Sequence, residues 1–161
     1  MPLRIIATGG TFDKRYDPLT GNLTFGATHL HELVARARIA GAVEIDVPMM
    51  IDSLDMNDAH RQAILEACRA CPQRRIVIVH GTDTLVETAR VIGEAGLEKT
   101  VVLTGAMVPC DVEGSDAPFN LGFAIGCAST LAHGTWVAMN AVAFPWHDVR
   151  KNREKGVFEL L

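Results

Sequence analysis

Two threonines that each follow a glycine turn are the residues of this chain best placed to do chemistry. The stretch Ile76-Val77-Ile78-Val79-His80-Gly81-Thr82-Asp83-Thr84 runs from unbroken apolar residues into a glycine, then a hydroxyl beside a carboxylate. The stretch Leu3-Arg4-Ile5-Ile6-Ala7-Thr8-Gly9-Gly10-Thr11 has the same grammar. Each reads as a buried parallel strand ending in a tight turn. In open α/β sheets, ligands gather at the carboxyl ends of strands, where helix N-termini also present free N–H groups. A threonine hydroxyl is a weak nucleophile until a neighbouring group takes its proton. Two of them converging on one sheet edge, with Asp83 alongside, point to covalent hydrolysis. Gly9 and Gly10 permit close backbone approach and are expected to leave N–H groups facing an anion. Two further polar sets, Ser53-Leu54-Asp55 and the loop from Asp111 to Asp116, fall at the ends of other predicted strands.

The elements that must position these residues alternate between strand and helix. Strands are expected at Leu3–Thr8, Val43–Met49, Ile76–Val79, Thr100–Leu103 and Thr135–Phe144. Between them, the 3.6-residue pattern marks four helices. The first follows a Thr28 cap, buries Leu30, Leu33, Val34 and Ala37, and stops at Gly41. The second is capped by Asn57 or Asp58 and turns Ala59, Ala63, Ile64 and Ala67 inward. The third carries Leu85, Ala89 and Ile92. The fourth has an Asp116 cap and Pro118 in its first turn, and buries Leu121, Ala124, Ile125, Ala128 and Leu131. The polar loop Phe12–Gly26 follows Thr11 directly and is long enough to act as a lid, with Leu23-Thr24-Phe25 as the return strand of a short hairpin. Residues 145–161 read as a tail or linker. The expected fold is α/β with three layers: a mostly parallel sheet, helices on both faces and right-handed crossovers.

Composition narrows the function. With 161 residues, 48% of them hydrophobic, the chain can build one real core. Its net charge of −4, with Lys and Arg scattered apart from Arg150–Lys155, argues against a nucleic-acid partner. The most apolar region, Phe119–Trp146, is interrupted by Asn120, Ser129, His133 and Asn140, which argues against a membrane span. Of the four cysteines, Cys68 and Cys71 form a single Cys-x-x-Cys with no second pair, so they read as core residues rather than zinc ligands. The absence of a disulfide framework fits the cytoplasm. The six histidines make no ligand cluster, and no metal is expected. No dinucleotide fingerprint, Walker loop or Gly-x-Ser-x-Gly elbow is present.

Taken together, Ile6-Ala7-Thr8-Gly9-Gly10-Thr11, Asp55-Met56-Asn57, His80-Gly81-Thr82-Asp83-Thr84, Thr104-Gly105-Ala106-Met107 and Ala117-Pro118-Phe119-Asn120-Leu121 resemble the amino-terminal domain of the bacterial L-asparaginase/glutaminase family. The matches arrive in the family's order and cover nearly the whole chain. The resemblance is to a short, single-domain form spanning residues 1–161, without the family's smaller second domain. It implies an amidohydrolase that converts L-asparagine to L-aspartate and ammonia through a threonine acyl-enzyme, with no cofactor. By position, Thr11 would be the nucleophile, and Thr82 the second threonine of a Thr-Asp-Lys set with Asp83 and Lys151. Asp83 would also bind the substrate's ammonium, and Ser53 its carboxylate. Gly10 and Asp55 would complete the substrate pocket.

Two departures from the family pattern stand out. Leu23 occupies the lid position where many members have tyrosine, which leaves Tyr16, the only tyrosine of the chain, as the candidate hydroxyl for activating Thr11. Leu54 stands where many members have glutamine, removing one substrate contact. A homo-oligomer, dimer or tetramer, is expected from the apolar residues Val157, Phe158, Leu160 and Leu161. Two other readings are a non-catalytic asparagine or aspartate binding module, and a glutaminase or amidotransferase-type subunit that feeds ammonia to a partner.

Overall fold

The computed structural model describes residues 2–161. The chain order is β1 (Leu3–Ala7), β2 (Lys14–Tyr16), β3 (Leu23–Phe25), α1 (Leu30–Ala37), β4 (Val43–Asp46), α2 (Asp58–Ala70), β5 (Arg75–Val79), α3 (Leu85–Glu94), β6 (Thr100–Thr104), α4 (Ala117–Thr130), β7 (Gly134–Met139), β8 (Val142–Pro145), β9 (Arg150–Asn152) and β10 (Val157–Glu159). Six of these strands form one sheet in the order β4-β1-β5-β6-β7-β8. The pairings from β4 to β7 are parallel, and β8 returns antiparallel to β7.

The near-continuous apolar runs of the central strands follow from burial on both faces. Alternate side chains of β5 part company: Ile76 and Ile78 enter a core with Ile64, Leu65 and Cys68 of α2 and Leu85, Ala89 and Ile92 of α3. Val77 and Val79 enter a second core with Leu30 of α1 and Leu121, Ala124 and Ala128 of α4. The fold is the expected three-layer α/β arrangement, and the glycine turns after β1, β5 and β6 open on one sheet edge.

Several local expectations need correcting. The stretch Thr135–Phe144 is two antiparallel strands joined by a two-residue turn, with Asn140 and Ala141 at φ of 51° and 66°. Residues 145–161 form no tail: β9 and β10 make a hairpin, and Val149 and Phe158 are buried in the core beside α3. Phe158 is therefore not an exposed residue, whereas Val157, Leu160 and Leu161 are. Helix α2 buries Arg61, Ile64, Leu65 and Cys68 and exposes Ala59 and Ala63. Its larger side chains remove more apolar area from water than alanine methyls, and they decide the face. Helix α1 ends at Ala37 on a left-handed Arg38, before Gly41, and β4 ends at Asp46. Asn57 caps α2 in a reciprocal box with His60.

Candidate active site

Four loops interlock at the carboxyl edge of the sheet, and glycines make the fit possible. After β1, the fully buried Thr8 donates its hydroxyl to the Val79 carbonyl at 3.0 Å, tying two strand ends together. Gly9 and Gly10 then take φ of 102° and 73°. A Cβ on Gly10 would stand 2.3 Å from the Gly81 Cα, and one on Gly81 would stand 2.6 Å from the Ser53 Oγ. A Cβ on Gly105 would meet the His80 carbonyl oxygen at 2.4 Å. Thr11 and Thr82 each stand one residue beyond the Gly10–Gly81 backbone contact. The Gly10 N–H is not free to face an anion, because it donates to the Ile51 carbonyl at 3.0 Å. The contribution of Gly10 is close approach.

The β9–β10 hairpin carries Lys151 into this cluster from 69 residues away in sequence. Its Nζ donates to Thr82 Oγ1 at 2.9 Å and to Asp83 Oδ1 at 2.8 Å. The Lys151 side chain is only 10% exposed, so this ion pair is more sheltered than an ordinary surface bridge. Arg153 adds a donor to the Asp83 carbonyl at 3.2 Å. With the Lys151 ammonium donating to Thr82, the Thr82 hydroxyl sends its own proton to Met107 Sδ at 3.6 Å. A small cleft of about 160 Å³ opens beside Asp83, Glu87 and Lys151. A larger apolar cleft of about 450 Å³ lies away from this chemistry, between α1 and α4.

Buried polar residues fix the loops from behind. His80 is fully buried, and burial depresses its pKa to about 4, so the ring is neutral near pH 7. A neutral ring has one N–H, and the contacts assign it: Nδ1–H donates to the Gly81 carbonyl at 2.7 Å, while Nε2 accepts the Thr88 hydroxyl at 2.8 Å. His80 thus holds the turn just before Thr82 against α3. Asn120, also fully buried, donates to the Gly105 carbonyl at 3.0 Å and accepts from the Asn140 N–H at 3.1 Å. Asp116 precedes α4 but makes no side-chain cap there. Its carboxylate accepts instead from the Met107 and Val108 N–H groups, each at 3.0 Å, shaping the loop that reaches Thr82.

The other sequence candidates are spread around the same edge. Ser53 is 1% exposed in a 3-10 turn; its carbonyl accepts the Thr84 hydroxyl at 2.8 Å. Asp55 ends that turn and is exposed, as is Leu54 at 63%. Tyr16 is on β2 of the expected hairpin and is 60% exposed. Thr11 is half-buried at the start of a second 3-10 turn. Sequence reading missed Met107, Arg153, Thr84 and Asp52, whose roles depend on contacts between distant loops. The Cys-x-x-Cys pair is buried at the end of α2, and burial pushes the Cys68 thiol up to about 12. A thiol so far from ionising is an inert core group. Among the described residues, no cluster of three or more His, Cys, Asp or Glu is placed to hold a metal, and no helix is long and apolar enough to cross a membrane.

Known proteins share this fold. Residues 2–158 match the model of the asparaginase amino-terminal domain, and the chain belongs to the asparaginase family. It is 33% identical to L-asparaginase 2 of Escherichia coli (strain K12), over 96% of this chain and 47% of that protein. It is 32% identical to a glutamyl-tRNA(Gln) amidotransferase subunit of Aeropyrum pernix, over 78% of this chain and 31% of that one. The thermostable L-asparaginase from Thermococcus kodakarensis superposes with a TM-score of 0.90 at 29% identity, covering all of this chain and 51% of that one. The chain thus spans about half the length of the asparaginases it matches.

Proposed function

We propose that the chain is an amidohydrolase that converts L-asparagine to L-aspartate and ammonia through a threonine acyl-enzyme. The observation that carries this reading is the Lys151 ammonium held on both Thr82 and Asp83. A mere binding module has no need of a lysine sheltered against a hydroxyl.

In the proposed reaction, Thr11 Oγ attacks the side-chain amide carbon of asparagine and its proton passes toward the leaving nitrogen. The C–N bond breaks, ammonia departs, and a β-aspartyl ester remains on Thr11. Water, oriented by Thr82 with Lys151, adds to the ester carbonyl. The Thr11–acyl bond then breaks, a proton from that water returns to Thr11 Oγ, and aspartate leaves. Asp83 faces the substrate's ammonium, Ser53 faces its carboxylate, and Asp55 completes the pocket. Orientation and preorganised charge supply most of the acceleration in such a site. No step of this scheme calls on a cofactor. A reduced compartment suits the four free thiols, and self-association suits the exposed Phe119 and the apolar cleft beside it.

The similarity to an amidotransferase component keeps a second reading in view, in which the chain releases ammonia only with a partner. Ammonia release by the purified chain, with L-asparagine and L-glutamine side by side, decides between them. Turnover of asparagine without any partner is expected, with glutamine slower. Release from neither amide would overturn the hydrolase reading.

A further inference from the structure

We infer that Lys14 and Asp52 form a latch between the β2–β3 hairpin and the Ser53 turn, which makes Lys14 a positioning residue for the reaction proposed above. The inference rests on that reading for its kinetic consequences, and on the contacts alone for the latch itself.

The hairpin has a fixed base. Asp13 is fully buried, and its carboxylate accepts the Thr28 hydroxyl at 3.0 Å and the His29 N–H at 2.9 Å. His29 Nδ1 faces the same carboxylate at 3.3 Å. Both ends of the hairpin are therefore pinned to one buried group, two residues after Thr11. Beyond that base, among the described residues, a single ion pair ties the hairpin to the rest of the site. Lys14, which stands opposite Phe25 in the hairpin register, donates to Asp52 Oδ2. Both side chains are sheltered, at 21% and 28% exposure, and that hydrogen bond helps hold the Asp52 carboxyl below the usual carboxylate range.

Asp52 has two jobs at once. Its Oδ1 accepts the Leu54 N–H at 3.0 Å and so caps the turn that carries Ser53, while its Oδ2 receives the hairpin. That turn packs on the Thr82 loop: Ser53 Oγ would clash with any Cβ at Gly81, and the Thr84 hydroxyl bonds the Ser53 carbonyl at 2.8 Å. Hairpin, Ser53 turn and Thr82 loop are thus linked in series through the Asp52 carboxylate. Opening the latch frees the hairpin that follows Thr11 and loosens the Ser53 turn. Lys14 touches no reacting atom in this scheme; it acts through Asp52.

The test compares Lys14→Met, Asp52→Asn, the double variant and Lys14→Arg. Asparagine can still cap Leu54 through its carbonyl, so Asp52→Asn removes the latch and spares the turn. Each single variant should raise KM for L-asparagine about tenfold while kcat changes far less, as expected for losing one charged hydrogen bond. The double variant should be no worse than either single one, because both break the same bond. Lys14→Arg, which keeps the charge and the donors, should restore most of the affinity. Limited proteolysis at the exposed hairpin tip, Asp17–Asn22, reads the latch without any turnover: cleavage should quicken equally in both singles and the double. Additive effects, or KM and cleavage rates like those of the wild type, would overturn the latch. A wild-type chain that releases no ammonia would sink the functional reading instead, and proteolysis would still decide the latch.

Discussion

Lys151→Met is expected to lower kcat for L-asparagine by roughly a hundredfold to a thousandfold, the scale seen when one preorganised donor is removed from an active site. The reason lies in what Lys151 touches. Among the described residues, its Nζ is the sole charged partner of the Thr82 hydroxyl, at 2.9 Å, and it neutralises Asp83 at 2.8 Å. Methionine preserves the length and apolar stem of the side chain, so the β9–β10 hairpin stays packed through Val149 and Phe158. Stability should therefore fall little, and KM should change less than kcat. Lys151→Arg should not rescue the rate, since a planar fork cannot present one ammonium to both a hydroxyl and a carboxylate in the same geometry. Steady-state kinetics with a thermal unfolding curve for each variant checks this. Near-normal kcat in a folded Lys151→Met protein would remove Lys151 from the chemistry.

Gly10→Ala should be among the most damaging single methyls at the glycine turns. Two costs add. The backbone is at φ 73° and ψ −174°, a region essentially reserved for glycine, where an L-residue costs on the order of 1–3 kcal/mol. The new Cβ would also stand 2.3 Å from the Gly81 Cα, so two loop backbones must separate. A total loss of about 3 kcal/mol or more is expected, in the range of strained or overpacked sites. Gly21→Ala is the uncrowded control: it shares the positive φ of 73°, but has open space around it. Its cost should be about 1 kcal/mol, from conformation alone. Urea unfolding of the two variants compares a crowded positive-φ site with an open one. Equal losses would show that the loops do not press on one another at Gly10.

Much of this was legible in the chain before any coordinates. Ile76–Val79 with its glycine turn could only be a strand buried on both faces, and Leu85, Ala89 and Ile92 lie inward as their spacing requires. The hairpin within Phe12–Gly26 forms with Leu23–Phe25 as its return strand, as the alternation there requires. What stayed hidden depended on choices that local pattern leaves open. Ala141 takes a positive φ with no glycine to announce it, so a turn passes for continuous strand. In α2, small alanines and larger residues offer two competing stripes, and volume decides. Asp116 has the sequence position of a helix cap, but the Met107 and Val108 N–H groups compete for the same carboxylate and take it. The three-residue strands β9 and β10 are too short and polar for periodicity to reveal, yet they deliver Lys151. The position of Lys151 beside Thr82 was suggested by resemblance; its contacts, and those of Met107, Arg153 and Asp52, required the fold.

In the proposed reaction, Thr11 carries the acyl group. Rapid quenching of the chain during L-asparagine turnover, followed by mass spectrometry of its peptides, tests this most directly. One aspartyl unit on the peptide containing Thr11, absent in Thr11→Ala, is the predicted result. An adduct on Thr82 instead, or full turnover by Thr11→Ala, would contradict it.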